Sequence, residues 1–276
     1  MVIVGERINS TRKDIAQAIE MRDAAFIQYE AQMQVEAGVD YINVNAGALI
    51  EKESEGLAWL VETVQQITDK PLCIDSSNSE AIAGALKSHK GKCIINSITA
   101  EKGRFNSFLP LLKEYDCSVV ALCADDSGIP TTTERRVEIA GRIIEDLIAE
   151  GIALADIYID PIILPISTEP KVGVIGLDVI EQVKKKYPGV RTICGLSNIS
   201  FGLPLRKLIN QVFLIMAMQK GLDAAIIDPT HKQFLAYITA AETLLGKDEY
   251  GVNYISAYRE GRLETGETEV AHEQGQ

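Results

Sequence analysis

Two aspartates and two asparagines stand where short apolar runs end: Ile74-Asp75, Ile95-Asn96, Ile159-Asp160 and the segment Gly195-Leu196-Ser197-Asn198. A carboxylate accepts two hydrogen bonds side by side, and an amide both donates and accepts. Brought together, the four would form a cup for a planar, uncharged, donor-rich ligand. A pterin is such a ligand. Its 2-amino group and N3–H are adjacent donors that one carboxylate takes together, and its ring nitrogens and 4-oxo group call for an amide. Taken singly, each residue has a plainer reading: Asp75 as a helix cap, Asp160 as an Asx-turn before Pro161, Asn96 as a loop tie. The set points to a ligand.

Other chemistry is thinly supplied. The three histidines, His89, His231 and His272, end none of the apolar runs. A metal-dependent barrel hydrolase would need several such ligands there, so no metal site is expected. Ser76, Ser77, Ser97 and Ser197 have no histidine to activate them, and no lysine is placed for a Schiff base.

The elements that must position these residues alternate regularly. Apolar runs near residues 2–5, 40–44, 71–75, 92–95, 118–123, 156–160, 191–195 and 223–227 are separated by segments of helical spacing. This is the pattern of parallel strands joined by crossover helices. Eight units in a chain of 276 residues predict a single-domain (β/α)8 barrel over residues 1–258. An open doubly wound sheet is the alternative, but no Gly-x-Gly-x-x-Gly follows a run. Barrel chemistry lies at the C-terminal strand ends, where Glu6, Arg7 and Asn9 and, on the second run, Asn43 and Asn45 also fall. Three helical stripes are expected to be core: Ile15, Ile19, Phe26, Tyr29 and Met33; Val137 to Ile148; and Leu208, Ile209, Val212, Phe213, Ile215 and Met216. Glycine recurs just past helix ends, at Gly38, Gly151 and Gly221, as a left-handed cap. Residues 259–276 are polar and aperiodic and read as a disordered tail.

The acidic excess, 39 against 27, argues against a nucleic-acid or anionic-membrane partner. Five cysteines without Cys-x-x-Cys spacing predict neither disulfide nor cluster, and Cys73, Cys93 and Cys194 fit buried strand positions. No leader and no 18-residue apolar run is visible, so the expected location is the cytoplasm.

Five motifs then stand in register: Gly5-Glu6-Arg7-Ile8-Asn9, Asp75-Ser76-Ser77-Asn78, Ile94-Ile95-Asn96-Ser97, Tyr158-Ile159-Asp160-Pro161 with Leu164-Pro165, and Gly195-Leu196-Ser197-Asn198-Ile199-Ser200. Together they resemble the methyltetrahydrofolate–corrinoid protein methyltransferases, relatives of the folate domain of cobalamin-dependent methionine synthase. The resemblance implies a homodimeric pterin-binding barrel, cytoplasmic, that moves a methyl group between N5 of tetrahydrofolate and a corrinoid (cobalamin) on a partner protein. The direction implied runs from methyl-Co(III) corrinoid to tetrahydrofolate, giving 5-methyltetrahydrofolate. It also implies that Asp75, Asn96 and Asp160 hydrogen-bond the pterin and that Asn198 lies beside N5 as the catalytic amide. Gly195, Ser197 and Arg206 would line the folate site, with Glu6 and Asn9 in a shared signature. After Asn198 the chain reads Ile199-Ser200-Phe201-Gly202-Leu203-Pro204-Leu205-Arg206, which looks like the methionine-synthase type. The whole is similar to the tetrahydrofolate-methylating components of anaerobic O-demethylase or glycine betaine systems. The alternatives are a dihydropteroate synthase-like pterin enzyme, which would need a basic cluster at the strand ends, and a non-catalytic folate-binding barrel.

Overall fold

In the computed structural model, which describes residues 1–263, each of the eight apolar runs is a strand. They are β1 (Val2–Asn9), β2 (Tyr41–Asn45), β3 (Leu72–Asp75), β4 (Cys93–Ile98), β5 (Cys117–Leu122), β6 (Ile157–Asp160), β7 (Arg191–Gly195) and β8 (Ala224–Ile227). All neighbours pair in parallel and β8 returns to β1, closing the barrel in chain order. The sheet and every strand-end residue lie within residues 1–230. Residues 231–263 belong to a second unit. There the helices Lys232–Leu244 and Val252–Arg259 flank a turn built on Asp248, whose carboxylate accepts from Thr243 and from the backbone of Asn253 and Tyr254. The expected polar tail lies outside the described residues from 264 onward.

Successive strand residues face opposite sides of a sheet, so the barrel interior takes every second one. Val4, Cys73, Ile94, Val120, Tyr158, Ile193, Ala224 and Ile226 form one buried inner cluster, with Val2, Tyr41 and Leu122 packed against it. The barrel floor is thus a packed core. All five cysteines are buried free thiols, and among the described residues no helix is long and apolar enough to cross a membrane.

β1 runs four residues further than its apolar run, to Asn9, because it bulges. Its register against β2 shifts between Gly5 and Ile8, so Glu6 and Arg7 together oppose Asn43. The Arg7 N–H leaves the ladder there and donates to Gln34 Oε1 at 3.1 Å. Gly5 admits that side chain, since a Cβ would stand 2.2 Å from the same oxygen. The Arg7 guanidinium then forks onto Glu30, at 2.7 and 3.0 Å, and reaches Asp228 at 3.1 Å.

Two helical stripes differ from expectation. The first is divided between helices Lys13–Met21 and Ala24–Glu36 by Arg22, at φ 54°, with Asp23 capping the second. The second helix buries Ile27, Glu30, Ala31 and Gln34 and leaves Tyr29 exposed, because Glu30 and Gln34 must face the bulge. In the helix Arg206–Lys220, Phe213 is buried whereas Leu208, Val212, Ile215 and Met216 are exposed. That apolar stripe is an outer face rather than core. Val137 to Ile148 is core as expected, apart from exposed Ile148.

Glu30 is 4% exposed and shares its charge with Arg7, at 20%. Removing one partner of such a pair leaves the other uncompensated. Glu30→Ala is expected to lower the unfolding free energy by about 3 kcal/mol, read as a lower urea midpoint; an unchanged midpoint would show that Asp228 alone satisfies Arg7.

Candidate active site

The layer above the inner cluster is the site. Two positions past each inward core residue, the strands present Glu6, Asn43, Asp75 and Asn96 from β1 to β4. Leu122, Asp160, Gly195 and Asp228 follow from β5 to β8. All eight line one cavity of about 790 Å³ at the C-terminal end of the barrel, a volume suited to a small-molecule ligand. The ring holds four carboxyl groups and two amides. Leu122 and Gly195 flank Asp160 in it, so the carboxylate lies between an apolar side chain and a position with none. A flat heterocycle offering its donor edge to Asp160 fits that arrangement.

All nine residues singled out from sequence, Asp75, Asn96, Asp160, Gly195, Ser197, Asn198, Arg206, Glu6 and Asn9, line this cavity. The plainer readings apply unevenly. Asp75 caps nothing, since Asn78 caps the following helix; it accepts instead from Asn43 Nδ2 at 3.2 Å. Asp160 does form the Asx-turn, accepting from Ile162 N at 2.7 Å through Oδ1. Asn9 closes a local turn on Thr11. Asn198 sits on the turn Leu196–Ser200 with its Nδ2 over Gly195, where a Cβ would stand 3.4 Å away.

Burial raises the carboxyls against the pull of these donors. It lifts Asp75 to about 6 against the Asn43 bond, and Asp160 to about 7 against the Ile162 N–H and the Arg136 charge. Glu6 is pushed to about 7 by burial and by Asp228, with Ser197 and Arg206 opposing.

Four arginines hold the loops that carry these groups, each by gripping backbone carbonyls. Arg12 donates to Arg7 O at 2.9 Å and Arg104 to Ser97 O at 2.8 Å. Arg136, almost wholly buried, donates to the carbonyls of Pro130, Pro161 and Ile162. Arg206 donates to Ser197 O at 2.7 Å and to Ser200 Oγ at 3.1 Å.

The sequence showed no basic cluster at the strand ends, yet Arg7, Arg12 and Arg206 all line the cavity. Their guanidinium groups are engaged: Arg7 by Glu30 and Asp228, Arg12 by Arg7 O and Asp14, Arg206 by Ser197 and Ser200. The sequence places Asn43 at a strand end with no role assigned, and it does not mark Thr11, Arg12, Leu122 or Ile226 as lining residues. Asn43 had a legible signal, standing two positions past Tyr41 on β2. It is 1% exposed, and its Oδ1 is buried without a hydrogen-bond partner. A ligand donor would satisfy that oxygen. Leu122 and Ile226 carry no polar signal at all. Among the described residues, no group of three or more His, Cys, Asp and Glu converges as a metal site would require.

A closed parallel barrel with an acidic and amide ring at its C-terminal mouth is a small-molecule site, and the chain belongs to the pterin-binding enzyme family, whose profile matches residues 5–228. It is 37% identical over 95% of its length to the methylcorrinoid:tetrahydrofolate methyltransferase of Eubacterium limosum, covering 98% of that protein. It is also 33% identical, over 82% of its length, to the methionine synthase of Mycobacterium leprae, of which it covers 20%. The Yersinia pestis DHPS with a bound pterine–sulfa conjugate superposes with a TM-score of 0.64 over 89% of this chain and 94% of that one. A Xanthomonas albilineans dihydropteroate synthase with 4-aminobenzoic acid gives 0.66 over 90% and 92%. At 16% and 17% identity these two likenesses show the barrel fold alone.

The raised carboxyls make stability depend on pH with a definite sign. Asp75, Asp160 and Glu6 hold protons in the folded protein that the unfolded chain has released, so stability falls as pH rises from about 4 to about 7. Asp160→Asn removes one of these ionisations. It is expected to melt above the parent at pH 8, with the gap closing toward pH 5; a gap equal at both values would show that its ionisation costs the fold nothing.

Proposed function

We propose that this chain transfers a methyl group from a methyl-Co(III) corrinoid, carried on a partner protein, to N5 of tetrahydrofolate, yielding 5-methyltetrahydrofolate. The observation that carries the reading is the ring of Asp75, Asn96 and Asp160 at the mouth of a pterin-family barrel. The near full-length likeness to the Eubacterium limosum enzyme adds the reaction. In this reading the Asp160 carboxylate takes the 2-amino and N3–H donors of the pterin side by side while Oδ1 keeps its bond from Ile162 N. Asp75, Asn96 and the unpartnered Oδ1 of Asn43 take the remaining edge. Gly195 leaves room for the ring plane, and Asn198 hydrogen-bonds N5 and stabilises charge developing there. Ser197, Arg206, Glu6 and Asn9 complete the folate wall.

The corrinoid is a substrate here. No histidine, cysteine or lysine lines the cavity among the described residues, so the corrinoid arrives with its ligands supplied by a partner and meets N5 at the barrel mouth. The N5 lone pair forms the new N–C bond while the Co–C bond breaks, leaving its electron pair on cobalt as Co(I). Reduced folate and Co(I) both suit a reducing cytoplasm, as do five buried free thiols.

The second copy of a homodimer has a face to meet. Val174, Leu208, Val212 and Met216, all exposed, line an apolar groove of about 340 Å³ between the helices Val172–Lys186 and Arg206–Lys220. An apolar face paired with itself about a two-fold axis loses its exposure without leaving charges unpaired. Leu208→Lys is expected to convert the protein to a monomer in light scattering after gel filtration, and a variant that stays dimeric places the interface elsewhere.

Calorimetric titration with tetrahydrofolate tests the pterin site without a partner. Saturable binding by the intact protein, lost in Asp160→Ala, is expected; no binding by the intact protein would end the reading. Asn198→Ala is expected to slow methyl transfer about 100-fold with folate affinity little changed, and equal losses of both would move Asn198 from catalysis to binding.

A further inference from the structure

We infer that Glu6 is the group that takes the proton from N5 as the methyl group arrives and returns it when transfer runs backward. The inference rests on the methyltransferase reading above. The reaction sets the need. When the N5 lone pair captures the methyl group, N5 carries the methyl, its own hydrogen and a positive charge, and neutral 5-methyltetrahydrofolate forms only when that proton leaves. In reverse, N5 is a poor leaving group until it is protonated.

The cavity offers few candidates. Among the described residues lining it there is no histidine, cysteine, lysine or tyrosine, so the carboxyls are the groups left to exchange a proton. Three of the four are committed. Asp75 accepts from Asn43 at 3.2 Å, Asp160 accepts from Ile162 N at 2.7 Å, and Asp228 accepts from Arg7 and from both donors of Thr230. Glu6 has a single long contact, the Ser197 hydroxyl at 3.4 Å from its Oε2. A carboxyl held this loosely exchanges its proton without breaking a structural bond.

Position agrees with availability. Ser197 immediately precedes Asn198 on the turn Leu196–Ser200, so the one contact of Glu6 is to the turn that carries the amide assigned to N5. The proton passes directly or through that hydroxyl. Charges of both signs surround Glu6. Asp228 on the β8 side raises it, Arg206 and the Ser197 hydroxyl on the β7 side lower it, and the β2 side contributes the uncharged Asn43. Its neighbour Arg7 turns away onto Glu30 and Asp228. Burial, the largest effect, together with Asp228 brings the carboxyl to about 7, where it serves as acid or base at physiological pH.

The test uses the full-length protein with tetrahydrofolate and methylcobalamin in one direction, and 5-methyltetrahydrofolate with Co(I) cobalamin in the other, each across pH 5.5 to 8.5 as an experimental range of about three units around neutrality. The forward rate is expected to rise with pH through about 7 and the reverse rate to fall through the same value. Glu6→Gln is expected to bind tetrahydrofolate within about three-fold of the parent, lose about 100-fold in turnover and show neither limb. Glu6→Asp, which keeps a carboxyl, is expected to restore the limbs at reduced rate. Turnover of Glu6→Gln near that of the parent, or a uniform loss with both limbs intact, would overturn the proton role and leave the pterin reading standing. If the intact protein binds no tetrahydrofolate, the methyltransferase reading falls and this inference with it.

Discussion

Inside a closed parallel sheet each strand can turn one residue in two toward the axis, and that alternation organises this protein. Val4 facing inward puts Glu6 inward. Cys73 does the same for Asp75, Ile94 for Asn96, Tyr158 for Asp160 and Ile193 for Gly195. The apolar storey fills the floor and excludes water from below, and the polar storey above it becomes a cavity wall. Neither storey exists without the other. A one-residue slip in any strand would turn its core residue and its polar residue together to the outer face.

Burial and hydrogen bonding then pull the carboxyls in opposite directions, and how firmly each is held sets its duty. Asp75 and Asp160 keep protein donors that partly offset burial, which leaves them as fixed acceptors. Glu6 stands near neutrality, as Asp160 does, but its one protein donor is a long contact to the Ser197 hydroxyl. The folded state carries the cost of holding these groups away from water, and the ligand or the proton lowers it. A site that is least comfortable when empty is one whose polar groups have been left for something else to satisfy.

The loops above the barrel are held by arginines that bond to backbone rather than to substrate. The planar fork of Arg136 spans the carbonyls of Pro130, Pro161 and Ile162 and so ties the β5 loop to the β6 loop. It also restrains Ile162, which sits at φ 61°, an uncommon conformation for a β-branched residue. That turn is the one whose N–H fixes Asp160. Arg12, Arg104 and Arg206 do comparable work beside Glu6, Asn96 and Asn198. The positive charge in the mouth is therefore largely structural.

The sequence alone determined the barrel and its polar mouth, because strand periodicity and strand-end residues are local signals carried within a few positions. Eight apolar runs became eight strands, and Asp75, Asn96, Asp160 and Asn198 met in one cavity as their places at the strand ends implied. What depended on distant partners was not legible. The β1 bulge comes from Gln34 reaching past Gly5, so Glu6 and Arg7 enter the strand rather than follow it. The stripe from Leu208 to Met216 has helical spacing whether it faces the barrel or solvent, and packing alone turned it outward. Arg206 lies far from Arg7 and Arg12 in sequence, and only the closed sheet gathers the three while handing each a protein partner. Periodicity names the face a residue occupies; which groups meet across that face is settled by closure.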